Sequence, residues 1–196
     1  IKVYKNIKND TNSISNNMIS SIVEDSEQNL WIGTDGGLNK LNLVTGDITR
    51  YLVSDEDKSI SNTVVDEVFI DSKGRLWVCT INGLNLYDKK NDKFIKVATE
   101  YLENKGLQDI TEDHEGNIWV STREGLYKYN PNNKSVEEFL HDENNKDTIS
   151  ENNIFSIYYS EKIYMSSTFL SPFSVSGSSL QIVFKLFRAR AGCVCG

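Results

Sequence analysis

The sequence is poor in the residues that most often carry chemistry. Histidine occurs twice, at His114 and His141, and proline twice. Cysteine occurs three times, at Cys79, Cys193 and Cys195. An odd count, with two of them in the last four residues, is not a disulfide framework. Cys-x-Cys without a second pair or nearby histidines lacks the spacing of a zinc site. Neither histidine has a ligand at a metal spacing such as H-E-x-x-H. There is no Gly-x-Ser-x-Gly elbow and no Gly-rich phosphate loop. No cofactor is therefore expected. No apolar run approaches the roughly 18 residues of a membrane span. Ile1 is followed by neither a basic n-region nor an apolar h-region, so this sequence shows no signal peptide.

Basic residues are in the minority. Lys and Arg number 21 against 28 Asp and Glu, a net charge of −7. That balance argues against nucleic acid, whose affinity comes mainly from cations on phosphate, and against an anionic membrane surface. What remains is an ordinary soluble composition, 38% hydrophobic over 196 residues, enough for one domain with a core.

What the sequence does contain is a repeat. "VEDSEQNLWIGTDGGLNKLN" from Val23, "FIDSKGRLWVCTINGLNLYD" from Phe69 and "TEDHEGNIWVSTREGLYKYN" from Thr111 align without gaps. Trp31 and Trp77 are 46 residues apart, Trp77 and Trp119 are 42. A period of about 40–45 with one Trp per unit suits a propeller blade of four short strands. The predicted fold is all-β, a partial β-propeller of about three four-stranded antiparallel blades with flanking strands of adjacent blades.

Each unit resolves into four strands. The first covers Ile19–Glu24, Val65–Phe69 and Leu107–Ile110, with Ile19, Ser21 and Val23 alternating against Ser20, Ile22 and Glu24. A tight turn opens with Asp25, Asp71 or Asp113, whose carboxylates can cap turn amides, and closes with Gly74 or Gly116. Gln28 stands at that glycine position in the first unit, so either Asn29 or a strained Gln28 must carry the turn. The second strands are Leu30–Thr34, Leu76–Thr80 and Ile118–Thr122. The third are Gly37–Leu41, Gly83–Tyr87 and Gly125–Tyr129. The fourth are Ile48–Leu52, Phe94–Val97 and Val136–Leu140.

The blade repeats run over about 15–60, 61–103 and 104–149, with a further blade opening at 150–162. Ile1–Tyr4 matches Ile48–Tyr51, 47 residues on, and so is expected to be the last strand of a preceding blade. Asn153–Tyr158 is expected to open a following one. The propeller part is then 1–162, cut from a longer array, because three blades cannot close a ring that takes about 4–8. Composition breaks near Lys162. From Ile163 to Gly196 there is no Asp, Glu, Asn or Trp. Ile163–Ser167 reads as a degenerate second strand, Ser176–Ser179 as a linker, and Leu180–Phe187 as a β-prone run able to pair with an open edge. Residues 163–196 read as a divergent, non-native tail, such as a shifted frame or vector sequence, against the alternative of a real segment covering the exposed blade.

The recurring residues read as structure. Trp31, Trp77 and Trp119 hold one place in every unit, as rings packed between neighbouring blades would. Cys79 stands where the other units have Gly33 and Ser121, so a small residue is wanted there. One Asp per turn is too few oxygens for calcium. The carboxylate pairs Asp55/Asp57 and Glu137/Glu138 lie on polar segments and read as solvated. The second-to-third-strand loops, by contrast, vary over an unchanging frame. They present Asp35, Asn82, Arg123 and Glu124, which are the candidate ligand-binding residues. These loops should share a face with the fourth-to-first-strand connections.

At "NLWIGTDGGLNKLN", "RLWVCTINGLNLYD" and "NIWVSTREGLYKYN", extended by "NNMISSIVEDSEQ" and "TISENNIFSI", the sequence resembles the two-component regulator propeller repeat. It departs from the pattern at Gln28, Cys79 and Ser121, and in lacking a Trp in the fourth unit. The resemblance implies a ligand-sensing propeller module in the extracytoplasmic region of a membrane-bound bacterial sensor, typically a hybrid histidine kinase. The implied ligand is an oligosaccharide or similar polar molecule. It implies no catalysis by this chain, and its partners would be the remaining blades of a parent protein or, through open blade edges, another copy. Two alternatives stand beside it. A propeller lyase would need an acid/base set on the rim, for which Arg123, Glu124 and His141 are available. A WD-type interaction scaffold would need the Gly-His and Trp-Asp signature, which is missing.

Overall fold

The computed structural model describes residues 1–54, 59–159 and 180–181. Twelve strands form three four-stranded antiparallel sheets, each a meander in chain order. Blade 1 contains β1 (Ile19–Glu24), β2 (Asn29–Thr34), β3 (Gly37–Asn42) and β4 (Ile48–Tyr51). Blade 2 contains β5 (Val65–Ile70), β6 (Leu76–Thr80), β7 (Gly83–Asp88) and β8 (Lys93–Val97). Blade 3 contains β9 (Leu107–Glu112), β10 (Ile118–Thr122), β11 (Gly125–Tyr129) and β12 (Val136–Phe139). The predicted all-β blades are the blades observed, with strand ends shifted by one or two residues.

The repeat motif builds one frame three times. The Asp opening each first turn accepts the backbone N–H two and four residues on: Glu27 and Asn29 at 2.8 and 3.0 Å, Lys73 and Arg75 at 3.0 and 2.9 Å, Glu115 and Asn117 at 3.0 and 2.9 Å. Its second oxygen takes the indole N–H of the Trp six residues on, at 2.8–2.9 Å in all three blades. A side-chain donor adjoins it in each case, from Asn29, Arg75 or Asn117. One carboxylate thus caps the turn and fixes the ring, whose polar edge could not otherwise be buried without cost.

The turn position that holds Gly74 and Gly116, at φ +74° and +80°, is held in blade 1 by Gln28 at φ +62°. Left-handed backbone costs a side-chain-bearing residue about 1 kcal/mol or more. Gln28→Gly is therefore expected to stabilise the chain by about 1 kcal/mol. Urea denaturation would read this, and an unchanged midpoint would show that the turn is not strained.

The blades bury their faces against one another. Trp31, Tyr51, Val68, Val78 and Phe94 form the joint between blades 1 and 2. Trp77, Leu84, Leu107, Ile118 and Tyr127 form the joint between blades 2 and 3. Trp119 packs on Leu126, Phe139, Ile154 and Ile157, beyond blade 3. On the other side of blade 1, Ile32, Leu41 and Ile48 meet Ile14 and Tyr4. A Cβ on Gly33 would lie 2.8 Å from Val65 Cγ1 of the next blade, which is why this position takes only small residues.

Three features depart from the sequence reading. The connection into blade 3 carries a short helix, α1 (Thr99–Leu102), with Leu102 wholly buried. In blades 1 and 2 that connection is tied by Ser15 to Asn39 and by Ser61 to Asn85. Blade 3 has Tyr127 in place of that Asn, so the connection is anchored by an apolar side chain instead. Ile1–Tyr4 is in no ladder with a described strand, although Tyr4 packs on the outer face of blade 1. Of Asn153–Tyr158, only the end is extended pairing: β13 (Tyr158–Tyr159) pairs with β14 (Leu180–Gln181). The readings of Asp55/Asp57, Ile163–Ser167, the Ser176–Ser179 linker, Cys193, Cys195 and the tail as a whole lie outside the described residues, apart from β14.

Candidate functional site

The first strand of each blade lies innermost, against the first strand of the next. Ser20 Oγ of β1 reaches the Val65 carbonyl of β5 at 2.5 Å. One residue from its start, each of these strands carries a bulge. Ile19 and Ser21 pair with the adjacent Thr34 and Gly33, leaving Ser20 as the extra residue. Asp66 and Gln108 are the extra residues of β5 and β9. A bulge re-aims its side chain and interrupts the strict alternation that the sequence predicts for β1.

The bulges lie at the end of the blade where the second and third strands turn. Thr34, Thr80 and Thr122 close those turns, each donating to the Gly carbonyl three residues on at 2.8–3.1 Å and accepting an N–H from two residues on. The connections into the first strands come to the same end: Asp35 N donates to Met18 O at 3.3 Å, and Arg123 N to Lys105 O at 3.2 Å. Two sets of loops therefore share one face, with the bulge residues at its inner margin.

The four sequence-predicted residues part company on this face. Asp35 and Arg123 are exposed and both act electrostatically on Asp66, which lies between them on blade 2. Burial pushes the Asp66 carboxyl up to about 6, with Arg123 opposing that rise and Asp35 adding to it. Asp66 Oδ2 is buried and has no hydrogen-bond partner. Glu124 is instead tied to Lys105 at 2.6 Å. Asn82 lines a separate cavity of about 70 Å³ with Ser61, Lys96, Thr99 and Glu103. His141 Nδ1 is bonded to the Ile149 carbonyl at 2.7 Å, and among the described residues no hydrogen bond or ion pair joins it to Arg123 or Glu124. Sequence reasoning missed Asp66 because nothing in "VVDEVF" marks a bulge. The one available signal was its place in the repeat, where the units read Ser20, Asp66 and Gln108.

On the opposite face, a cleft of about 200 Å³ between blades 1 and 2 is lined by Asp25, Lys40, Arg75, Tyr87 and Lys89. Its carboxylates and cations are largely paired with one another and with the Trp frame. Among the described residues, no group of three or more His, Cys, Asp or Glu side chains could hold a metal ion.

The sequence profile of the two component regulator propeller matches residues 13–36 and 101–124. Each match runs from the connection before a first strand through the second-to-third-strand turn, the part of the blade that forms the loop face. Two of the three blades thus match this repeat, over about a quarter of the chain. No curated protein matches it by sequence. Among solved structures, these repeats are similar to the extracellular domain of the one component system BT4673 of B. thetaiotaomicron, with a TM-score of 0.65 and 23% identity, over 76% of this chain and 20% of that one. They are similar also to the extracellular domain of the hybrid two component system BT3049 of B. thetaiotaomicron, with a TM-score of 0.58 and 17% identity, over 81% and 26%. Virginiamycin B lyase from Staphylococcus aureus shares the fold, with a TM-score of 0.51 and 20% identity, over 69% and 44%. The chain thus spans about a fifth to a quarter of the two sensor domains. Among the described residues, no helix is long and apolar enough to cross a membrane.

Proposed function

We propose that these repeats form part of the extracytoplasmic propeller of a bacterial two-component sensor and bind a polar ligand at the loop face. The observation that carries this reading is Asp66. It is a bulge residue with an unpartnered oxygen, flanked by an exposed cation and an exposed carboxylate from the neighbouring blades. Acceptors and a guanidinium side by side suit a ligand rich in hydroxyl groups, such as an oligosaccharide. The extracellular sensor domains among the similar structures support the setting, and a kinase or other output would belong to the longer protein. The pairing of Glu124 with Lys105 favours binding over catalysis.

Further blades of the same repeat are the partners this reading requires. Ile22 on β1 is 56% exposed, whereas Val68 and Ile110 at the same position of β5 and β9 are 3% and 5% exposed. The face of blade 1 suits the next member of a ring, or a second copy of the chain.

The test is calorimetric titration of the chain with neutral and acidic oligosaccharides. Asp66→Asn and Arg123→Ala should each weaken a bound ligand about tenfold, the loss of one charge-assisted hydrogen bond, with the circular dichroism unchanged. Binding that survives both changes, or no binding across the panel, overturns the assignment.

A further inference from the structure

One position past the fourth strand, the three blades carry Leu52, Ala98 and Leu140. In blades 1 and 3 that leucine closes over the glycine of the second-to-third-strand turn. A Cβ added to Gly37 would lie 2.7 Å from Leu52 Cδ2, and one added to Gly125 would strike Leu140 Cδ2. In blade 2 Ala98 has no such methyls. A Cβ on Gly83 would meet nothing nearer than Ser61 Oγ at 3.8 Å and the Leu102 carbonyl at 3.9 Å. The cavity of about 70 Å³ lies at this place: Gly83 and the two neighbours of Ala98, Val97 and Thr99, line it.

A second difference between the blades concerns charge. In blade 1 Arg50, opposite Asn39, donates to the Ser13 and Asp10 carbonyls at 2.6 and 2.7 Å. Its counterpart in blade 2 is Lys96, opposite Asn85. Lys96 lines the cavity instead, as does Glu103, and the two form no ion pair with each other. Among the described residues, the side chains of Lys96, Glu103, Asn82 and Thr99 make no hydrogen bond or ion pair. The Ser61 hydroxyl, by contrast, is held by Thr80 and Asn85 at 2.7 and 2.8 Å. The cavity therefore presents an ammonium, a carboxylate, a hydroxyl and an amide, all available, beside the buried side chains of Leu84 and Val97.

We propose that this cavity binds a small zwitterion, an α-amino acid with a side chain no larger than that of alanine, its carboxylate toward Lys96 and its ammonium toward Glu103. Two opposite charges at one cavity, unpaired with each other, match a ligand that carries both. At roughly 10–15 Å³ for each water-sized group, there is room for about five or six non-hydrogen atoms, the size of glycine or alanine. Leu84 and Val97 offer the apolar contact for the Cα and a methyl. The site is separate from Asp66 and does not rest on the oligosaccharide reading.

Titration of the full chain with glycine, L-alanine, acetate and methylammonium, followed by the amide NMR shifts of Asn82, Gly83 and Thr99, tests the assignment. Glycine and L-alanine should move these signals and saturate. Acetate and methylammonium each carry one of the two charges and should bind about tenfold more weakly or less. Lys96→Gln and Glu103→Gln, both at exposed positions, should each weaken glycine by a similar factor. Ala98→Leu puts back the leucine of blades 1 and 3 and should abolish binding with the circular dichroism unchanged. The two glutamine variants decide the matter even where Ala98→Leu disturbs the fold. No saturating shift with glycine or L-alanine overturns the proposal. So does acetate binding as tightly as glycine, or a glycine affinity that neither glutamine variant changes.

Discussion

Trp77→Ala is expected to cost about 3–5 kcal/mol, a large share of the roughly 5–15 kcal/mol by which a domain is stable. Trp77 is wholly buried at the joint between blades 2 and 3, packed with Leu84, Leu107, Ile118 and Tyr127. Tyr129 meets its ring edge-on at 6.1 Å between centroids, and the Arg75 guanidinium lies 5.2 Å from its centroid. Truncation removes apolar surface from both blades at once, and neither sheet can collapse into the gap because its ladder holds it flat. Trp77→Phe is the milder change: it keeps a six-membered ring but loses the N–H and part of the buried ring volume, for about 2 kcal/mol. Trp119→Ala should cost less than Trp77→Ala, since its ring is 7% exposed and has a full blade on one side only. Urea denaturation followed by circular dichroism gives all three. A Trp77→Ala cost no larger than that of Trp119→Ala would mean that the blades stand alone and the joints add little.

The second large effect is expected at Asp71. Asp71→Ala should cost about 3 kcal/mol. Its carboxylate accepts the Lys73 and Arg75 N–H groups, Arg75 Nε at 2.5 Å and the Trp77 indole N–H at 2.8 Å. Deleting it strands an indole donor in the core and a guanidinium beside it. Asp71→Asn keeps one acceptor and should cost about half as much. A change within 0.5 kcal/mol of zero, on the scale of a neutral surface substitution, would show that the Asp–Trp bond is incidental. The same frame predicts sensitivity to acid. Burial pushes the Asp25 and Asp113 carboxyls up, but hydrogen bonds from Asn29 and Trp31, and from Asn117 and Trp119, more than offset it, so both lie below the ordinary value. Such groups stabilise above their unfolded pKa, and that stability is lost as pH falls through their folded values. Asp113→Asn should therefore flatten the loss of stability below about pH 4.

Much of the frame was legible in the residues. Gly74 and Gly116 announced turns of positive φ, and Gln28 at the same place announced the strained one. Alternation and the Trp spacing announced four strands per blade. These are local demands: a turn needs a given φ, and a strand shows its two faces in sequence. The helix Thr99–Leu102 was not legible, because it answers a loss elsewhere, at Tyr127. Ile1–Tyr4 shows the converse case. It has the pattern of a strand, but a strand also needs a neighbour.

The candidate site divides in the same way. The repeat by itself determined that the variable side chains lie on the second-to-third-strand loops, because a residue that changes while its neighbours recur is not holding the frame. It determined the blade, the Asp-capped turn and the place of the Trp as well. Only the tertiary structure decided that Asp35 and Arg123 act on one carboxyl, that of Asp66. Asp35 and Arg123 are 88 residues apart in the chain, and Asp66 comes between them because a bulge in β5 turns it toward the loop face. Ser21 of blade 1 reaches Glu67 of blade 2 because β1 and β5 lie side by side. Pairings of this kind depend on distances between blades, and no local pattern of side chains records how separate sheets will pack.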